Sequence, residues 1–211
     1  MYQKFGKRLI DLVLSAIGIV VLAPVWLILA IAIKIDDPGP VFFRQKRIAQ
    51  DKNGEQQFFQ IYKYRSMKMC TPKDTPTHLL ENPEQYITKV GGFLRKTSLD
   101  ELPQIFNIFL GQMSIIGPRP ALWNQDDLYA ERAKYGANAV KPGLSGWAQI
   151  NGRDELPIDV KAKLDGEYVE KMSFGFDVKC FFGTITSVLK HEGVVEGGTG
   201  AMEKEKEEAE K

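Results

Sequence analysis

The chain has 211 residues, with 28 Lys+Arg against 27 Asp+Glu and a formal charge of +1. That balance excludes a protein that binds nucleic acid through bulk positive charge, so no nucleic-acid partner is expected. Two cysteines (Cys70, Cys180) and two histidines (His78, His191) lie far apart with no CxxC, which excludes a zinc site of ordinary spacing and leaves reduced thiols.

The charges are distributed unevenly. Residues 12–33 hold none, and 19 of these 22 are apolar, so the other 189 residues carry all 55 charges. The run is too long for a signal-peptide core. At ~1.5 Å per residue it reaches about 33 Å, the thickness of a bilayer core. Pro24 interrupts the run, however, and favours a kink. Lys4, Lys7 and Arg8 before it are matched by Lys34, Arg44, Lys46 and Arg47 after it, so positive charge gives no orientation across a membrane. On these grounds a straight span and a bent helix returning to the same face both stay open. A bend would leave carbonyls for Ser15, a neighbour or water to satisfy. Residues 1–35 therefore read as a membrane segment and 36–192 as a domain on the cytoplasmic face. Residues 193–211, Gly-rich and then EKEKEEAEK, read as a solvated tail.

After the membrane segment, residues 36–47 predict a turn and a short strand, and 56–67 a second strand. Asn53-Gly54 between them signals a tight hairpin. Residues 71–86, with three prolines, read as a surface excursion. Helical periodicity follows at 87–96, 99–113, 124–136, 159–171 and 177–190. The fold expected is α+β and mainly helical, with a small β-hairpin, an N-terminal membrane helix interrupted at a proline, and amphipathic helices at the interface.

Chemistry concentrates in three segments. In RKTSLDELPQIFNIFL (95–110), Ser98-x-x-Glu101 has the form of a capping box, and Leu102, Ile105, Phe106 and Phe109 form an apolar stripe. The adjacent carboxylates Asp100 and Glu101, beside Arg95 and Lys96, equally suit phosphate chemistry. One carboxylate can attack phosphorus while the other holds Mg2+. In GPRP, two prolines fix the backbone around Arg119, an arginine suited to bidentate phosphate binding. In KPGLSGWAQINGR (141–153), Lys141 and Arg153 bound a glycine-rich element in which Gln149 and Asn151 are candidate base or sugar contacts. Its spacing matches neither a Walker loop nor a GxGxxG fingerprint. Lys63 and Arg65, in IYKYRSM, add two cations.

These segments, from Lys7-Arg8-x-x-Asp11 through IYKYRSM, SLDELPQIFNIFLGQMSIIGPRP and KPGLSGWAQINGR to FDVK at 176–179, together resemble the bacterial sugar transferase family, the small monotopic polyprenol-phosphate phosphoglycosyl transferases. The resemblance covers residues 4–190. It implies transfer of a hexose-1-phosphate from a UDP-sugar to undecaprenyl phosphate, with release of UMP, at the cytoplasmic face of the bacterial inner membrane. Asp100 matches the family's nucleophile, which forms a phosphosugar intermediate. Glu101 matches its partner, a Mg2+ ligand or a proton acceptor, and Arg119 and Lys63 match phosphate-binding positions. The resemblance also implies a re-entrant helix broken at Pro24, with Ala23 standing where the family often has serine. Membrane lipid and a second copy of the chain are the further partners to expect. Two other readings compete: a membrane-anchored phosphodiesterase with water as acceptor, and a non-catalytic scaffold.

Overall fold

A computed structural model describes residues 2–71, 82–152 and 156–189. Arg153, most of the 71–86 excursion and the 193–211 tail lie outside them. A π-helical turn, Tyr2–Gly6, leads into helix α1 (Lys7–Val21), and α2 (Ala23–Asp36) follows after a single residue. The two helices are bent by 61° at that break. Pro24 sits in the first turn of α2, where a missing N–H costs no helical bond, and Trp26 N–H resumes the ladder by donating to Leu22 O at 3.0 Å. Among the described residues no single helix is long and apolar enough to cross a membrane, but the bent pair passes that test together.

The side chains of α1 are turned inside out relative to a water-soluble helix. Its buried residues are Asp11 and Ser15, while Leu9, Val13, Ile17, Val20 and Val21 are exposed; Leu27, Ile28 and Ile31 continue that exposed surface along α2. This pattern suits a helix with lipid outside and a polar protein contact inside. Ser15 Oγ donates to Leu12 O (3.1 Å), so it serves its own helical turn and not the bend.

Strands β1 (Phe42–Ile48) and β2 (Phe58–Tyr64) pair antiparallel, with Phe42 opposite Tyr64 and Ile48 opposite Phe58. Beyond the ladder, Lys52 and Glu55 bridge across Asn53 and Gly54, both at positive φ (54° and 80°). That is the two-residue turn which the Asn-Gly signal predicts. Leu29 and Ile33 of α2 share a core with Tyr64 of β2 and Leu94 of α3 (Lys89–Lys96), fastening the helix pair to the domain.

The helix expected over 99–113 is instead two short pieces. Leu99–Glu101 forms a 3-10 turn, α4 spans Gln104–Phe109, and Gly111 at φ 80° ends it before β3 (Ser114–Ile116). Pro103 cannot sit in a helix interior and becomes the residue preceding α4. The capping box does not form either. Ser98 has φ 57° and caps nothing, because the Glu101 side chain is drawn elsewhere. The other expected helices are present, with shifted ends: α5 (Asp126–Ala133), α7 (Ile158–Lys171) and α8 (Phe174–Leu189).

Several elements were not foreseen, β3 among them. Strand β4 (Gly143–Ser145) pairs parallel with β3, and a single turn, α6 (Trp147–Ile150), follows it. The glycines of KPGLSG serve this approach. A Cβ at Gly143 would strike the backbone of Gly117, and one at Gly117 would come within 2.5 Å of Lys141 O. The stretch is thus a backbone support behind the GPRP turn, which explains its glycine content without a phosphate cradle.

Candidate active site

The acid pair lies where the 3-10 turn meets the site end of β2. Lys63 Nζ donates to Glu101 Oε1 at 2.8 Å and lies 3.9 Å from Asp100 Oδ2. Arg119 Nη2 donates to the same Glu101 oxygen at 2.8 Å, and its Nη1 lies 3.4 Å from Oε2. Glu101 is therefore clamped between two cations, and its departure from a capping role follows. Burial pushes its carboxyl up, but Arg119 and Lys63 outweigh that and hold it well below the usual carboxylate range. Asp100 differs. Burial raises its carboxyl, the negative charge of Glu101 adds to this, and Lys63, Arg95 and Arg119 only partly compensate. Two adjacent carboxylates thus acquire opposite tendencies: one fixed as an anion, one uncommitted and poorly solvated. Such a division is characteristic of reactive sites.

Arg95 also acts on Asp100, and its Nη1 is buried with no hydrogen-bond partner among the described residues. A buried guanidinium nitrogen left in this way fits an anion that completes the site.

The remaining candidates lie elsewhere. Lys141 is influenced by Arg8, Asp11 and Lys52 rather than by the acid pair; burial, and then the nearby cations, push its ammonium down. Gln149 Nε2 donates to Leu144 O (3.1 Å) in the packed 141–146 support. Asn151 Nδ2 donates to Trp147 O (2.7 Å) and so finishes α6. These contacts give both amides structural employment. Arg65 pairs with Asp37 at the exit of α2, tying the chain there rather than waiting for phosphate. Trp26 packs on Phe106 (4.8 Å) and Trp147 on Phe176 (5.0 Å).

Several positioning residues carried no functional reading in the sequence. Asn107, fully buried on α4, accepts from Tyr62 N–H (3.0 Å) and donates to Gln60 O (2.7 Å) and Gln112 Oε1 (2.7 Å). It binds the free edge of β2 and so sets the strand carrying Lys63 against the helix that follows the acids. Its signal is an amide inside the apolar run QIFNIF. From α1, Arg8 donates to Ile108 O (2.7 Å) and Phe109 O (2.8 Å), two of the last carbonyls of α4. Asp11 accepts from Ile115 N–H (3.0 Å). Lys7 Nζ and Tyr2 Oη each donate to Asp177 at 2.5 Å, and Tyr168 Oη lies 2.8 Å from the same carboxylate. The polar face of α1 is thereby fixed to the elements bearing the acids.

Fold and site together define a mainly helical α+β protein with a bent, apolar N-terminal helix pair and an acid pair ringed by cations. The sequence profile described as "Bacterial sugar transferase" matches residues 2–191, and the chain belongs to that family. It is 39% identical over 186 residues to the UDP-glucose:undecaprenyl-phosphate glucose-1-phosphate transferase of Escherichia coli (strain K12), covering 85% of this chain and 39% of that protein. It is 39% identical over 189 residues to the sugar transferase EpsL of Bacillus subtilis (strain 168), covering 89% of each. A UDP-N-acetylgalactosamine-undecaprenyl-phosphate N-acetylgalactosaminephosphotransferase of Aeromonas hydrophila is 34% identical over 190 residues, covering 88% of this chain and 44% of that protein. The chain thus spans about two fifths of the glucose-1-phosphate transferases it matches and nearly the whole of EpsL.

Proposed function

We propose that the chain transfers a hexose-1-phosphate from a UDP-sugar to undecaprenyl phosphate and releases UMP, as the first membrane step in building a bacterial glycoconjugate. The observation that carries the reading is the unequal acid pair: Glu101 clamped by Lys63 and Arg119, and Asp100 beside it without a hydrogen bond among the described residues. Asp100 attacks the sugar-linked phosphorus, forming an O–P bond as the bond to the UMP oxygen breaks. An oxygen of the lipid phosphate then attacks the same phosphorus and displaces Asp100, leaving a polyprenyl diphosphate sugar. Phosphoryl transfer asks of the protein mainly position and charge. Arg119, Lys63 and Arg95 supply both, steadying the phosphate oxygens around Asp100.

Mg2+ commonly takes one or two protein carboxylates, with phosphate and water oxygens filling its shell. Asp100 and Glu101 fit that share, while among the described residues no group of three or more His, Cys, Asp or Glu could hold a metal. Bound there, Mg2+ would neutralise diphosphate charge.

The helix pair enters and leaves one leaflet, broken just before Pro24, with both ends on the cytoplasmic face. Its 61° bend and its inside-out side-chain pattern support this reading. The exposed Phe174, Phe181 and Phe182 of α8 and Phe93 of α3 then lie at the interface. The acids so held meet a lipid phosphate without lifting the prenyl chain from the bilayer. The test is UMP release in detergent or nanodiscs across a panel of UDP-sugars. Release is expected with one sugar class and sustained only with undecaprenyl phosphate, and Asp100→Asn should abolish it. Release sustained with water alone would replace the transferase by a phosphodiesterase, and no release from any donor would favour a scaffold.

A further inference from the structure

The hairpin presents an aromatic ring beside the acids that no part of the reaction above uses. Phe43 of β1 stands directly opposite Lys63 of β2. Opposed residues of an antiparallel pair share a face, with Cβ atoms about 5 Å apart. The same face carries Gln45 and Arg47. Arg47 donates to Pro120 O (2.9 Å), in the turn that holds Arg119, and to Gln45 Oε1 (2.7 Å). At one end, therefore, this face meets the acid pair through Lys63, and further along it meets the arginine turn. Phe59 and Ile61 on it are buried, whereas Phe43 remains 37% exposed.

The opposite face of the hairpin has a different duty. Phe42 stacks on Tyr64 (5.5 Å, 16°), whose hydroxyl reaches Trp26 O of α2 at 3.3 Å. Side chains alternate along a strand, so Phe43 lies on the face opposite the Phe42–Tyr64 stack and its contact with α2. Its ring lies one strand spacing from a phosphate-binding lysine, with the Gln45 amide next along the face. A planar heterocycle attached to a diphosphate matches that surface, and a hydrocarbon chain does not.

We propose that Phe43 is the stacking platform for the uracil ring of the nucleotide donor, with Gln45 beside it. The inference rests on the reading of the substrate as a UDP-sugar. Removing the π-face should weaken donor binding without disturbing the reacting phosphorus. Phe43→Leu keeps apolar bulk and is expected to raise KM for the UDP-sugar about ten-fold, equivalent to about 1.4 kcal/mol, with kcat within about two-fold. Phe43→Tyr should restore the wild-type KM, and KM for undecaprenyl phosphate should not move in either variant. Inhibition by UMP should weaken in parallel in Phe43→Leu, while inhibition by inorganic pyrophosphate, which has no base, should not. An unchanged donor KM in Phe43→Leu, or a raised acceptor KM in its place, would overturn the assignment. Wild-type protein that releases no UMP from any UDP-sugar would instead remove the reading on which it rests.

Discussion

Asn107 offers a perturbation whose cost can be worked from the structure. Its side chain is fully buried and makes three hydrogen bonds, two of them to the backbone of β2. Asn107→Leu keeps the branched shape and the number of heavy atoms and removes every polar contact. Tyr62 N–H and Gln60 C=O then lose their side-chain partner at the free edge of a two-stranded sheet. Each buried backbone group left unpaired costs about 1–3 kcal/mol, so about 3 kcal/mol is expected for the substitution. For a domain of this size that corresponds to a melting temperature lower by about 6–12 °C. Thermal unfolding of the detergent-solubilised protein, followed by far-UV circular dichroism, measures it. Asn107→Asp keeps the acceptor for Tyr62 but sets a buried carboxylate against Gln60 O and Gln112 Oε1, and should lose at least as much. A melting temperature within about 2 °C of wild type in Asn107→Leu would refute the view that this amide fixes β2 to α4.

Further outcomes follow from the same contacts. Burial and Glu101 raise the Asp100 carboxyl, so the folded state binds its proton more tightly than the unfolded chain does. The stability linked to Asp100 is therefore greatest in acid and falls as pH rises through the carboxylate range. Asp100→Asn, inactive by the mechanism proposed, should melt above wild type at pH 7, and this advantage should vanish near pH 3. The sign is opposite for Glu101, whose lowered carboxyl contributes stability above the ordinary carboxylate range and loses it only in strong acid. Glu101→Gln should therefore destabilise at pH 7, in contrast to its neighbour. Arg8→Met removes two hydrogen bonds to the end of α4 and should cost about 2 kcal/mol, read as increased hydrogen exchange at residues 104–110. In Gly91→Ala the new Cβ lands on the backbone carbonyl of Ser66, so the melting temperature should drop by several degrees although helix propensity improves.

The apolar helix pair interrupted near its proline, the hairpin and the closeness of the acid pair to cations were legible in the sequence because each is written in local pattern. Residues 12–33 show an uncharged run, Asn53-Gly54 supplies the positive φ values, and Asp100-Glu101 is adjacent to basic residues. The breakup of 99–113 was less legible. An apolar stripe at helical spacing survives across a 3-10 turn, so periodicity alone did not register that Pro103 and Gly111 interrupt it. The Ser98 capping box failed because the Glu101 carboxylate gains more from two cations than from one backbone N–H. The glycines of 141–146 read as a ligand loop only in the absence of β3, whose parallel pairing with β4 explains them. Gln149 and Asn151, read from the sequence as base or sugar contacts, each donate to a local carbonyl, as polar side chains near loops commonly do, while Gln149 Oε1 is buried without a partner among the described residues. Asn107 and Asp177 escaped notice as functional positions because their partners lie 45 and 170 residues away in sequence, at Tyr62 and Lys7.

The most direct test of the proposed chemistry is the covalent state of Asp100. Protein incubated with its UDP-sugar and Mg2+ but no polyprenol phosphate, quenched in acid and digested, is expected to show one sugar phosphate on the peptide containing Asp100. The adduct should disappear when undecaprenyl phosphate is added before quenching, and should be absent from Asp100→Asn. Full turnover by Asp100→Asn, or a sugar phosphate found on any residue other than Asp100, would contradict the assignment.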